Sequence, residues 1–150
     1  MKRRICLLVH NVRSLWNVGS FFRTADAFAV EKIFLTGYTA RPPRKEITKT
    51  ALGAEKTVAW EHDKDPLSVL TVLKKDGWDI VALELSPRAQ ELSFFAASGK
   101  TCLIVGHELS GIPGEVLDLC DAIVKIPMLG TKESLNVAVA AGIALHHLRH

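Results

Sequence analysis

The sequence predicts an α/β fold: a mostly parallel sheet flanked by helices. Two observations carry this reading. Six short apolar runs are unbroken rather than alternating, the pattern of strands buried on both faces. Between several of them lie segments with apolar residues at three- and four-residue spacing, as helical crossovers between parallel strands require. The 150 residues, 48% apolar and 23% charged, suffice for one domain with a buried core.

The elements follow in order. Ile5 to Val9 is the first strand. A helix opens at Asn17, with Val18, Phe21, Phe22, Ala25, Phe28 and Ala29 forming its apolar stripe. Lys32 to Thr36 is the second strand, ended by Gly37. Pro42 and Pro43 keep the basic segment from Ala40 to Lys49 irregular, before a short helix over Ile47 to Leu52 and a third strand near Thr57 to Trp60. Pro66 suits a first helical turn; Leu67, Leu70 and Leu73 continue it until Gly77. Trp78 to Leu85 is the fourth strand and Thr101 to Val105 the fifth and most hydrophobic. Pro113 starts a short helix, Ala122 to Ile126 is the last strand, and Leu135 to Leu148 the last helix.

Composition narrows the function. No apolar run approaches the roughly 18 residues of a membrane span, and the basic start Met-Lys-Arg-Arg is followed by too short an apolar run for a targeting segment. Cys6, Cys102 and Cys120 are an odd set without CxxC spacing, which suggests reduced, buried thiols and a cytoplasmic chain with no metal. A net charge of +3 permits an RNA or phosphate partner without requiring one.

In parallel sheets ligands bind beyond the carboxyl ends of the strands, and three loops there carry chemistry. The first runs from Asn11 to Asp26; Asn17 is either a helix cap or a ligand group, and Arg23 either a surface residue or a fork for phosphate or carboxylate. The second is Gly106 to Pro113, where two glycines bracket Glu108. It is no Walker loop, and no GxGxxG follows any strand. The third joins Ile126-Pro127-Met128-Leu129-Gly130 to Ser134-Leu135-Asn136. Ser134 suits a helix cap, but a cap explains one polar residue, not two. Ile126, Met128 and Leu135 are suited to flank a flat adenine ring.

In this order and spacing, the three loops resemble the motifs of the SpoU (TrmH-like) branch of the SPOUT RNA methyltransferases. Asn17 through Phe28 is similar to the first motif, with its asparagine and its Arg23-Thr24-Ala25. Gly106 through Gly111 is similar to the second, and Ile126-Pro127-Met128 with Ser134-Leu135-Asn136 to the third. Two positions depart: Ala29 stands where the family often has glycine, and His107 where asparagine is common.

The resemblance implies a SPOUT-type fold with a C-terminal trefoil knot, a topology that connection rules alone would reject. Residues 1–150 then form a single such domain with no appended RNA-binding domain. It also implies S-adenosylmethionine as methyl donor, an RNA ribose 2′-hydroxyl as acceptor, transfer RNA in preference to ribosomal RNA, and a homodimer sharing residues between active sites. Arg23 would handle the hydroxyl and its phosphate; because an arginine is almost never deprotonated, positioning outweighs base catalysis for it. Asn17 would hold Arg23 or the ribose, Glu108 would orient the guanidinium, and Ser134 and Asn136 would shape the pocket. Leu83, Glu84, Gly106, Ile126, Met128 and Leu135 would contact the cofactor, and Arg13, Arg41, Arg44, Lys45 and Lys49 the RNA phosphates.

Several features have plain readings. His146, His147 and His150 belong to a fraying helix end rather than a metal site. Trp16, Trp60 and Trp78 pack in the core or a dimer seam, although Trp16 could stack on a base. Gly142 marks close helix packing. The rivals are a non-catalytic RNA-binding relative, which should have lost Arg23 or the cofactor loops, and a flavodoxin-like or other nucleotide-binding α/β domain, which should bind a flavin or nucleoside phosphate instead.

Overall fold

A computed structural model describes residues 2–150; Met1 of the basic start lies outside them. At its centre is β1 (Arg4–His10), whose side chains alternate between two cores. Ile5, Leu7 and Val9 face one cluster and Cys6 and Leu8 the other. The same alternation in β6 (Lys100–Val105), paired parallel to β1, puts Leu103 and Val105 on the first side and Cys102 and Ile104 on the second. Burial on both faces is why these strands read as unbroken apolar runs.

The other strands are β2 (Lys32–Thr36), β3 (Ala59–Asp63), β4 (Asp79–Leu83), β5 (Gln90–Glu91) and β7 (Ala122–Lys125). They form one sheet in the order β3-β2-β1-β6-β4-β7-β5, with every pair parallel. The expected six-strand α/β sheet is therefore a seven-strand one. The extra strand, β5, has two residues and no apolar run to announce it. Helices α1 (Leu15–Ala27) and α5 (Val137–Arg149) supply Val18, Phe21, Phe22, Ala25, Ala141, Ala144, Leu145 and Leu148 to the first core. Helix α3 (Pro66–Lys75) packs Val69, Leu70 and Leu73 into the second, with Val116 of α4 (Gly114–Leu117).

Boundaries shift where a cap decides them. Ser14, not Asn17, caps α1: its Oγ accepts the Asn17 backbone N–H at 3.2 Å, so the helix begins two residues earlier and frees the Asn17 side chain. Asn136, not Ser134, caps α5, its Oδ1 accepting from the N–H groups of Ala138 and Val139 at 2.9 and 3.2 Å. Helix α2 (Lys45–Ala51) starts inside the segment expected to be irregular, directly after Arg44.

Two further expectations change. The end of α5 is not frayed: Arg149 donates to the carbonyls of Phe28, Arg3 and Ala29, and His147 Nε2 lies 2.6 Å from the Phe95 carbonyl. Of the tryptophans, Trp78 is core and Trp60 half-buried, but Trp16 is 49% exposed. Ala29 also explains the family's preference at its position. It adopts φ 55°, in the left-handed region that glycine enters without penalty. The Arg149 bonds to the carbonyls of residues 28 and 29 hold it there.

Burial pushes the Cys6 thiol up to about 12 and that of Cys120 up to about 11, and raises Cys102 as well. All three are free thiols.

Glycine at position 19 is required by the approach of α2 to α1. A Cβ there would meet Thr50 Oγ1 at 1.8 Å and the Ile47 carbonyl oxygen at 2.4 Å, and that hydroxyl donates to the Trp16 carbonyl at 2.8 Å. Gly19→Ala must push the helices apart and should cost about 1–3 kcal/mol, read as a lower urea midpoint with unchanged slope. An unchanged midpoint would mean that the two helices do not meet so closely.

Candidate functional site

The sheet delivers the three loops to one place. Because β1, β4, β6 and β7 are parallel and adjacent in the sheet, the segments leaving their carboxyl ends rise on the same edge. There the segments after β4, β6 and β7 enclose a cleft of about 250 Å³. One wall is Leu83 to Leu85 after β4, the floor is Val105 to Glu108 after β6, and the other wall runs through Ile126, Met128, Ser134 and Leu135 after β7.

At one corner the loops are stitched together. Asn17 Nδ2 donates to Glu108 Oε1 at 3.1 Å, and Asn136 Nδ2 donates to Asn17 Oδ1 at 3.3 Å. Both ends of one amide are thus engaged, by residues 91 and 119 positions away. Since Asn136 also caps α5, the start of that helix, the first turn of α1 and the glycine loop are fixed relative to one another.

The glycine loop has its own supports. His107 Nδ1 accepts from the N–H groups of Leu109 and Ser110 at 3.0 and 3.1 Å, and the Gly111 N–H returns to the His107 carbonyl at 2.9 Å. From below, Glu84 Oε2 accepts the Ile112 N–H at 2.7 Å. Gly111 has φ +69°, and a Cβ on it would lie 2.6 Å from Glu84 Oε1; one on Gly106 would lie 2.8 Å from Ile112 Cγ1. Only glycine lets this chain segment fold so tightly over the carboxylate. Burial pushes the Glu84 carboxyl above its ordinary value, and the Ile112 N–H works in the opposite direction.

Of the residues singled out in the sequence, Leu83, Glu84, Gly106, Ile126, Met128, Leu135, Glu108 and Ser134 all line the cleft. Asn17 and Asn136 sit at its stitched corner. Glu84 already has a partner in Ile112, so its carboxylate supports the loop as well as facing the cleft. Arg23 is not brought to this corner. It is exposed on α1, and among the described residues it makes no hydrogen bond or ion pair; Glu108 is engaged by Asn17 instead. The cations Arg13, Arg41, Arg44, Lys45 and Lys49 are all exposed, Arg44 lying 3.9 Å from Glu46.

Sequence reasoning missed several contributors, Val105 and Ala140 among them. His107 was noted only as a departure, yet it closes the loop as a side-chain acceptor, a task an asparagine can also perform. Leu85, Lys125 and Val137 line the cleft without standing in any motif. The signal for Leu85 and Lys125 was their place at a strand's carboxyl end.

The cleft suits a nucleoside bearing a cationic sulfur. Leu83, Ile126, Met128 and Leu135 offer apolar surface to a flat ring. The carboxylates of Glu84 and Glu108 supply negative charge opposite a sulfonium, and Lys125 supplies positive charge for a carboxylate.

Known proteins resemble this chain along most of its length. The model of the SpoU rRNA Methylase family matches residues 4–146. A curated tRNA (guanosine(18)-2′-O)-methyltransferase of Aquifex aeolicus is 32% identical over 97% of this chain and 68% of its own length. An AdoMet-bound rRNA methyltransferase from Sinorhizobium meliloti superposes with a TM-score of 0.91 at 26% identity, over 98% of this chain and 56% of the other. A structure solved for "2-OH methylation of C/U34 on tRNA" gives 0.84 at 26% identity, over 96% and 93%. The chain spans 60 to 68% of the length of several curated relatives that it matches.

The two polar residues opening α5 have separable roles. Asn136→Ala removes the cap and the bond to Asn17, and should lower stability by about 1–2 kcal/mol. Ser134→Ala, which removes no cap, should leave the melting temperature within about 1 °C. Equal losses in thermal melts would show that the cap has been misassigned.

Proposed function

The chain belongs to the SpoU rRNA Methylase family, and from that premise we propose that it transfers the methyl group of S-adenosylmethionine to a ribose 2′-hydroxyl of RNA. The observation that carries the reading is the junction of Asn17, Glu108 and Asn136, which ties the first loop to a cleft lined by the other two and by the segment after β4.

When bound, S-adenosylmethionine supplies a methyl already activated by its positively charged sulfur. The chain must then hold donor and acceptor in line and deal with the hydroxyl proton. Leu83, Ile126, Met128 and Leu135 hold the adenosine part, and Gly106 lets backbone come close to it. Glu84 and Glu108 offset the sulfonium charge. Ser134, exposed on the rim, has no hydrogen-bond partner among the described residues and offers its hydroxyl to the ligands.

Arg23 completes a site from a second copy. It lies on α1 beside Ser20 and Thr24, which with Val139, Gly142, Ile143 and His146 of α5 line a shallow groove. Val139 and Ile143 are 52% and 44% exposed there. A Cβ on Gly142 would only touch Thr24 Cγ2 at 3.6 Å, so that glycine is not demanded by α1 within one chain. A homodimer packed through this face covers the apolar residues and carries each Arg23 toward its partner's cleft, where the guanidinium grips a phosphate and steadies the reacting hydroxyl. The C-terminal knot belongs to the same reading; β7 entering the sheet between β4 and β5 is consistent with it. Transfer RNA is the favoured acceptor, as for the Aquifex aeolicus relative, and the exposed Arg13, Arg41, Arg44, Lys45 and Lys49 meet its phosphates.

Incubation with bulk RNA and S-adenosylmethionine, followed by nucleoside mass spectrometry, should reveal a 2′-O-methylated nucleoside. Arg23→Ala should lower that yield at least about 100-fold while leaving cofactor affinity within twofold. Mixing it with Met128→Trp, whose cleft is blocked, should restore part of the activity through mixed dimers. No ribose methylation by the parent chain would end this reading; normal turnover by Arg23→Ala would remove the arginine from it.

A further inference from the structure

Beside the stitched corner, the structure has a surface that the methyl-transfer chemistry does not use. Trp16 precedes Asn17 in the first turn of α1 and is 49% exposed; Tyr38 lies in the turn after β2 and is 50% exposed. Each ring carries a cation. The Arg13 guanidinium carbon lies 5.1 Å from the Tyr38 ring centroid, and Lys49 Nζ lies 5.8 Å from that of Trp16.

The backbone under these rings is fixed although the rings are exposed. Asn11 Oδ1 accepts the Tyr38 N–H at 3.0 Å, and Thr39 Oγ1 accepts the Val12 N–H at 3.1 Å while donating to the Val9 carbonyl at 3.1 Å. Thr50 Oγ1 donates to the Trp16 carbonyl at 2.8 Å. Asn11 holds its place at φ 56°, a left-handed conformation that asparagine tolerates better than most residues. Each ring thus presents a flat face to solvent on a fixed backbone, with a cation beside it.

From this arrangement we infer that Trp16 and Tyr38 are two stacking platforms for unpaired RNA bases. The inference rests on the methyltransferase reading and adds two base-binding side chains to it. Charge complementarity selects the occupant. Arg13, Arg41, Arg44, Lys45 and Lys49 lie along the same two loops and α2, with Glu46 the one opposing carboxylate on that helix. An apolar protein partner has no use for five cations; a polyanion with flat bases uses both the rings and the charges. A base would displace Arg13 or Lys49 from its ring, and the released cation would turn to the adjoining phosphate. A ribose can present its 2′-hydroxyl to a confined cleft once its base has left the helical stack.

The test compares binding of an unstructured pyrimidine RNA of twelve nucleotides with a duplex of equal length, by fluorescence anisotropy on the full chain. Trp16→Ala and Tyr38→Ala should each weaken the single strand at least fivefold and leave the duplex within twofold. Trp16→Phe and Tyr38→Phe should retain most of the affinity, since a ring remains. Wild-type affinity in both alanine variants, equal losses on duplex and single strand, or phenylalanine variants as weak as alanine would each overturn the proposal. So would a parent chain that prefers the duplex. Failure of the methyltransferase reading shows separately, as absence of S-adenosylmethionine binding and of ribose methylation by the parent chain, with the aromatic dependence of single-strand binding intact.

Discussion

One side-chain amide ties together the loops at the carboxyl edge of the sheet. Asn17 receives a hydrogen bond from Asn136 on one side and gives one to Glu108 on the other. These are modest interactions, worth about 0.5–1.5 kcal/mol each, and they do not hold the loops up by themselves. The parallel sheet does that, bringing the ends of β1, β6 and β7 to one edge, while glycines at 106 and 111 let the middle loop fold over Glu84. The amide fixes the loops relative to one another, and a misplacement of about 1 Å can cost a reaction about 100-fold.

Several polar residues here have two duties. Asn136 caps a helix and fixes Asn17; Glu84 faces the cleft and holds Ile112; His107 lines the cleft and closes its own loop. Such sharing gives a small domain a rigid site without burying many polar groups. It also means that substitutions at these positions change stability and activity together, whereas Arg23, exposed on α1, offers a cleaner separation of the two.

The architecture was readable because burial leaves a mark. Unbroken runs such as Ile5 to Val9 and Thr101 to Val105 could only be interior strands, and the stripe from Val18 to Ala25 only a packed helix face. The misreadings have local causes. Ser14 and Ser134 are equally good caps by composition; Ser14 took the role, but Asn136 displaced Ser134 because its amide also had Asn17 to bind. β5 has no apolar run because it is an edge strand of two residues. The loops of the site were legible as motifs, but the bond between Asn17 and Glu108 depends on sheet order, which no local pattern encodes. The separation of Arg23 from that corner is invisible in sequence for the same reason, and the proposed packing of a second chain against α1 and α5 would account for it.

The central claim is that Asn17 and Glu108 act as one unit in shaping the cofactor cleft. A double-mutant cycle read through S-adenosylmethionine affinity by calorimetry tests it most directly. The account predicts strong non-additivity: Asn17→Ala, Glu108→Ala and the double variant should lose similar amounts, with a coupling of about 1 kcal/mol. Losses that add within about 0.3 kcal/mol would show that the two side chains serve the cleft independently, and would contradict the account.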